Sequence, residues 1–252
     1  MTLSPAEIVD LETVSARAWP AVRRGALGGW RLNATSGFSG RINACWPLGD
    51  PGLPSSEAIA AVEAWYATEG LPALFKAVDG SCAPPDLAPR LADLGYRPRT
   101  ETLMMVGPAA PTPVDPGVAL GDGVDPTFET VFVVTAADPG DARERLDTLA
   151  RIPAPRVFAR LDVSGAPAAI GAAAVEGDWA GVFAMRTDPN HRRMGLARRV
   201  LSALLGSAAD HGAGRAWLQV EADNPGAIAL YAAAGFEEAY RYRYWFKPDQ
   251  AE

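Results

Sequence analysis

Pro189-Asn190-His191-Arg192-Arg193-Met194-Gly195-Leu196-Ala197 is the stretch on which the reading of this chain turns. An apolar, strand-like run, Gly181 to Thr187, precedes it. A helix follows from Gly195 to His211, with Leu196, Val200, Leu201, Leu204, Leu205 and Ala208 in one apolar stripe. Two arginines, a glycine and an alanine at a strand-to-helix turn make an anion cradle. The first backbone N–H groups of a helix have no intrahelical partner, and the helix dipole favours negative charge beside them. Gly195 lets the backbone come close to a ligand, and the arginines add charge-assisted donors suited to phosphate.

The surrounding segments read as an alternation of helices and strands. Downstream, Arg215 to Glu221 is a strand. Asn224 caps a helix with Pro225 in its first turn and Gly235 at its end, and Phe236 to Phe246 is an aromatic-rich strand. Upstream, Asp125 to Thr135 and Asp141 to Ala150 are helices. Arg156 to Val163 and Ala168 to Val175 are strands joined by a turn at Ser164-Gly165. Pro108 to Pro116 holds four prolines in nine residues, which neither a helix nor a central strand accommodates. The expected organisation is therefore a unit over 1–107, a linker over 108–116 and a second unit over 117–252.

The first unit repeats the order of the second. A helix over Ser56 to Thr68, Gly70, an apolar run Leu74 to Val78, a helix over Asp86 to Leu94, and Leu94-Gly95-Tyr96 match the later helix, Gly212, strand, helix and Ala234-Gly235-Phe236. The two glycines are 25 residues apart in the first copy and 23 in the second. Thr102 to Val106 then corresponds to Tyr240 to Phe246. The first copy lacks the arginine turn: the segment ahead of its helix, Pro47 to Pro54, contains no arginine.

Bulk properties narrow the function. The chain has 252 residues, a hydrophobic content of 48%, mean hydropathy near zero and a net charge of −7. Neither half carries a polybasic arm, which argues against nucleic acid as a partner. Two histidines, and two cysteines (Cys45 and Cys82) without metal-like spacing, argue against a metal and for a reducing compartment. No leader-like segment and no apolar run of about 18 residues is present, so a cytoplasmic protein without a membrane partner is expected. The lysines are Lys76 and Lys247 alone, arginine supplying the remaining basic residues.

Arg192-x-x-Gly195-x-Ala197 after an apolar strand resembles the acyl-CoA signature of the GNAT superfamily of N-acetyltransferases. Leu218-Gln219-Val220-Glu221-Ala222-Asp223-Asn224-Pro225 through Tyr231 to Gly235-Phe236 is similar to the superfamily's C-terminal signature. The resemblance covers residues 117 to 247, and the first half resembles a degenerate second copy, as in tandem members. It implies an α/β (α+β) GNAT fold, a mixed, mostly antiparallel sheet flanked by helices, here as two tandem units. Two central strands, Gly181–Thr187 and Arg215–Glu221, would splay to admit a pantetheine arm, whose amides can satisfy backbone groups as an added strand does.

The resemblance also assigns residues. Met185, Arg186 and Thr187 would pair with pantetheine. Arg193, Met194, Gly195, Leu196, Ala197 and Arg198 would bind the pyrophosphate, with Arg192 either aiding the phosphates or facing solvent. Asn224 would contact acetyl-CoA, the co-substrate, besides capping its helix. Tyr231 would protonate the departing thiolate. Some relatives place a glutamate base where this chain has Gln219, so the base is open among Glu221, Glu176, Asp178 and a water relay. Trp179, Trp217 and Trp245 are pocket or core residues.

The implied reaction is acetyl transfer to a primary amine by direct attack. Alternatives are another acyl-CoA-dependent acyl transfer or a non-catalytic CoA-binding sensor or scaffold. A further alternative is a nucleotide-binding protein that uses the arginine turn for ATP, which no Gly-Lys-Ser/Thr loop in the sequence supports. Small-molecule and peptide amines both remain as acceptors, and a monomer or homodimer is expected. The acidic net charge favours a cationic acceptor at long range, within a screening distance of about 8 Å.

Overall fold

Residues 3–81, 84–113 and 115–248 are described by the computed structural model, so Cys82 lies outside the described residues. The chain opens with α1 (Pro5–Ala18), whose start is written as a capping box. The Ser4 hydroxyl accepts from the Glu7 N–H at 3.4 Å, and the Glu7 carboxylate accepts from the Ser4 N–H at 2.8 Å. There follow β1 (Arg23–Leu27), β2 (Trp30–Ala34), a 3₁₀ turn (Gly40–Ile42), β3 (Cys45–Pro47), α2 (Ser55–Thr68), β4 (Phe75–Val78), α3 (Leu87–Asp93) and β5 (Arg97–Pro108). The second half contributes β6 (Val118–Gly121), α4 (Pro126–Val134), α5 (Pro139–Ala150), β7 (Arg156–Val163), β8 (Ala166–Glu176) and β9 (Trp179–Thr187). A 3₁₀ turn (Pro189–His191), α6 (Leu196–Asp210), β10 (Arg215–Glu221), α7 (Pro225–Ala233) and β11 (Glu237–Phe246) complete it.

All of these strands join one sheet, in the order β1-β2-β3-β4-β11-β5-β10-β9-β8-β7-β6. Its centre is an exchange. The last strand of each half lies against the other half: β11 runs antiparallel to β4, β5 runs antiparallel to β10, and β5 and β11 pair with each other. The matching successions β4-α3-β5 and β10-α7-β11 thus meet about a pseudo-twofold axis, and each half completes the sheet of its counterpart.

Side-chain alternation along the central strands feeds two layers. In β5, Met104 and Val106 face a core that α1, α4 and α5 cover, whereas Leu103 and Met105 face one covered by α6 and α7. α2 and α3 cover the sheet of the first half over Trp30, Leu32 and Phe75. One polar tie crosses the halves inside the first of these cores. Lys76 on β4 is fully buried between the rings of Trp46 and Tyr242, 4.0 and 4.2 Å from their centroids, and pairs with Glu12 of α1. Glu12 also accepts from the Tyr240 hydroxyl at 2.7 Å. The proline-rich segment is tied to α6 by Arg199, which donates to Asp115 at 2.6 and 2.8 Å.

The splay is present. β9 and β10 are parallel partners from Trp179↔Arg215 to Val182↔Leu218 and then part. Beyond that point β10 stays with β5, down to Glu221↔Thr102. β9 is turned away by a bulge against β8 between Ile170 and Ala172, where Ala184 takes a φ of +52°. A left-handed residue inside a strand is strained, and here the strain sits where two strands must separate.

Candidate active site

The turn ahead of α6 is shaped for an anion. Asp188 accepts from the Asn190 N–H at 2.8 Å and closes the 3₁₀ turn. Arg193 and Gly195 then take φ values of +65° and +77°, and α6 begins with no side chain capping its first turn. Alternating handedness of this kind curls successive N–H groups into one concavity. A Cβ built on Gly195 would meet nothing within 4 Å, so the space beside it is open and glycine is required by the dihedral alone. Arg192, Arg193 and Arg198 are exposed around this opening and form no ion pair among the described residues. Uncapped donors, open space and three unneutralised guanidiniums suit a pyrophosphate.

A cavity of about 720 Å³ runs from that turn along the splay. Met185, Arg186, Thr187, Arg192, Arg193, Gly195, Leu196, Ala197, Arg198, Asn224 and Tyr231 all line it. Met194 does not: it is 56% exposed and the turn leaves it outside the cavity lining. Asn224 is the cap of α7, its Oδ1 accepting from the Ala227 N–H at 3.0 Å. Thr135, at the end of α4, lines the same cavity; its carbonyl accepts from Arg186 at 2.9 Å.

A second cavity of about 680 Å³ lies on the other side of the splay, and both halves of the chain wall it. The first half supplies Phe38 to Arg41 from a loop and Arg99, Thr100 and Thr102 from β5; the second supplies Gln219 to Glu221 and Tyr242. Met185, Arg186, Asn224, Ala227 and Tyr231 line both cavities and so form the junction.

Tyr231 is 7% exposed, with its ring 6.2 Å from that of Phe236. Burial pushes its phenol up to about 12, against a smaller opposing pull from Arg41. At neutral pH it is therefore a protonated donor, not a phenolate. Glu221 lines the second cavity, is exposed and has no ion-pair partner among the described residues. Glu176 and Asp178 lie at the opposite end of β9, away from both cavities. Glu176 pairs with Arg17. Asp178 accepts from Arg215 at 2.7 Å and from the Gly214 N–H at 2.9 Å, contacts that hold its carboxyl below the usual range. Gln219 accepts from the Tyr242 hydroxyl at 2.9 Å through Oε1.

The tryptophans are packing residues. Trp217 is fully buried against Phe183, Trp179 lies beneath the Arg215 guanidinium at 4.0 Å, and Trp245 sits beside the core of the first half; none lines either cavity. Among the described residues no cluster of His, Cys, Asp and Glu could hold a metal, and no helix is long and apolar enough to cross a membrane.

A family model described as probable histone acetyltransferase Rv0428c, C-terminal, matches residues 5–245. The chain belongs to this family. The Mycobacterium tuberculosis protein named probable histone acetyltransferase Rv0428c is 31% identical over 243 residues, which are 95% of this chain and 74% of that protein. A Bacillus subtilis N-acetyltransferase, YobR, is 25% identical over 248 residues, 96% of this chain and 99% of its own length. Among solved structures, a GCN5-related N-acetyltransferase from Kribbella flavida superimposes with a TM-score of 0.69 at 17% identity, over 98% of this chain and 96% of that one. The fold is thus that of the GNAT superfamily, and the protein is an acyltransferase enzyme of GNAT type.

What the sequence did not mark in this acyltransferase is the set of first-half residues that line the second cavity. Arg41, Arg99 and Phe38 come from the first half, where no motif marks them. The positive φ of Ala184 had no signal either. The start of α1 did have one, the Ser4-Pro5-x-Glu7 box.

Proposed function

We propose that the enzyme takes its acyl group from acetyl-CoA and passes it to a primary amine by direct attack. One observation carries this reading: the cavity at the uncapped start of α6 and the cavity between the two halves meet at the splay, with Tyr231 at their junction. Residues 117–252 hold the chemistry in this reading, residues 1–107 wall the acceptor side, and 108–116 join them.

The donor is a thioester, an activated acyl group on a good leaving sulfur. Arg192, Arg193, Arg198 and the backbone of 193–198 hold its pyrophosphate, and the parted edge of β9 at Met185 to Thr187 takes its amides. Asn224 contacts it beside the cap. In the transfer the amine nitrogen bonds to the acyl carbon as the carbon–sulfur bond breaks. Tyr231, protonated at neutral pH, gives its hydroxyl proton to the departing sulfur and regains one through water from the proton the amine releases. The proton lost by the amine goes to Glu221, directly or through water, since Glu221 is the carboxylate lining that cavity.

Calorimetric titration of acetyl-CoA into the pure protein, with Arg193→Ala and Gly195→Asp alongside, tests the reading. One-to-one binding that both variants weaken strongly, followed by thiol release with an amine, supports it. Binding without any thiol release would favour a CoA-dependent sensor, and equal use of longer acyl chains would widen the donor class.

A further inference from the structure

The acceptor cavity is unbalanced in charge. Four arginines line it, Arg41, Arg99, Arg145 and Arg186, against the single carboxylate of Glu221. Two of the four are committed elsewhere. Arg145 pairs with Asp141 at 2.7 Å, and Arg186 donates to the Thr135 carbonyl above the ring of Phe132. Arg41 and Arg99 have no carboxylate partner among the described residues. Their contacts are ring faces, Trp19 at 5.8 Å for Arg41 and Phe246 at 4.6 Å for Arg99. A ring face positions a cation without neutralising it. Gln219, on the same wall, has its Nε2 buried and without a partner. The cavity therefore offers donors that lack acceptors, which is the complement of an oxygen-rich anion.

Arg41 is also held in place. It lies on the 3₁₀ turn Gly40–Ile42, in a loop that buried Glu144 of α5 clamps by accepting from the N–H groups of Ser36 and Ser39 at 2.7 and 2.6 Å and from Asn43 Nδ2 at 2.9 Å. A Cβ on Gly40 would come within 2.9 Å of the Tyr244 ring, so glycine lets this loop close on β11. Arg41 lines the same cavity as Tyr231, Tyr242 and Tyr244.

We infer that the acceptor is a small amine that also carries an oxyanion, a carboxylate or a phosphate, seated on Arg41 and Arg99 while its amine faces Glu221 and Tyr231. This rests on the acetyl-transfer reading and names its substrate class. It reverses the expectation drawn from the net charge of −7. A long-range field is screened over about 8 Å, whereas the arginines act at contact inside a walled cavity. A lysine- and arginine-rich peptide would bring cations against unneutralised guanidiniums.

The test uses the full chain saturated with acetyl-CoA and reads thiol release. Glycine, β-alanine, γ-aminobutyrate and phosphoethanolamine are compared with glycinamide, β-alaninamide and ethanolamine, and with a lysine-rich peptide. The expected result is a kcat/KM at least about tenfold higher for an anionic member than for its neutral counterpart, as a charge-assisted contact of this kind commonly gives. The carboxylate and phosphate arms tell the two oxyanions apart. Arg41→Gln should abolish the preference through KM while acetyl-CoA affinity is kept, and Arg41→Lys should restore part of it. Equal or better use of the neutral amines or the basic peptide, or no use of any anionic member, overturns the inference. Loss of acetyl-CoA binding in the unmodified protein would instead overturn the acetyl-transfer reading, so the two failures are distinct.

Discussion

Replacing Glu144 should loosen the acceptor cavity without touching the donor side. This carboxylate is 3% exposed and takes three hydrogen bonds from the loop that bears Arg41. Ser36 is exposed, and water can replace its lost bond. Ser39 and Asn43 are 3% and 4% exposed, so in Glu144→Ala the Ser39 N–H and one of the two Asn43 Nδ2 hydrogens would stay buried and unpaired, the other keeping its bond to the Ser39 carbonyl at 2.9 Å. At about 1–3 kcal/mol for each stranded donor, with the lost charge added, the expected cost is about 3–5 kcal/mol. For a chain of this length that lowers Tm by on the order of 10 °C. Glu144→Gln keeps one acceptor oxygen and should cost roughly half as much. Urea unfolding followed by tryptophan fluorescence reads the stability, with an unchanged m-value confirming that the native fold is the starting state. Acceptor KM should rise while the acetyl-CoA Kd stays put. A stability loss below about 1 kcal/mol, or a parallel loss of acetyl-CoA affinity, would refute the clamp.

Tyr231→Phe should lower kcat by about 10²-fold, with a small change in acetyl-CoA Kd, as expected for a group that acts on the leaving sulfur. Its burial-raised phenol has a sign that can be checked. Its contribution to stability is complete below the ordinary value of 10.0 and is lost as the pH rises towards about 12, so stability differences between Tyr231→Phe and the parent should change in that window only. Glu221→Gln should depress kcat/KM most at low pH, where amine deprotonation is hardest, and a pH-independent ratio to the parent would remove it as proton acceptor. Glu12→Gln removes the carboxylate that pairs with the buried Lys76 ammonium and should cost about 3–5 kcal/mol in urea unfolding, whereas Glu12→Leu with Lys76→Met should recover part of that loss.

The second half of the fold was legible because its signals are local. β7 and β10 run over the expected residues, Arg156–Val163 and Arg215–Glu221, and α6 is within one residue at each end, since alternation and a helical stripe read the same in sequence and in space. The residues of the arginine turn and the Asn224 cap were readable as short contiguous motifs, and the structure gathers most of them around one cavity. β1 to β3 were not read. β1 has the exposed pattern of an edge strand, and β3 is three residues long, so neither carries a hydrophobic period. The exchange of β5 and β11 has no local signature, because which strand lies beside β10 is decided by packing between halves. The first-half residues of the second cavity were unreadable on the same ground. Arg41 reaches the splay only because Glu144, about a hundred residues on, clamps its loop, and Arg99 only because β5 crosses to the other half.

On the reading proposed above, one active centre forms where the α6 turn, the splay and the wall from the first half meet. Titration of acetyl-CoA into the full chain tests it most directly, with Gly195→Asp and Arg193→Ala as paired controls. The expected result is a single site per chain that is lost or strongly weakened in both variants. Two sites per chain, or binding that both variants leave intact, would contradict it.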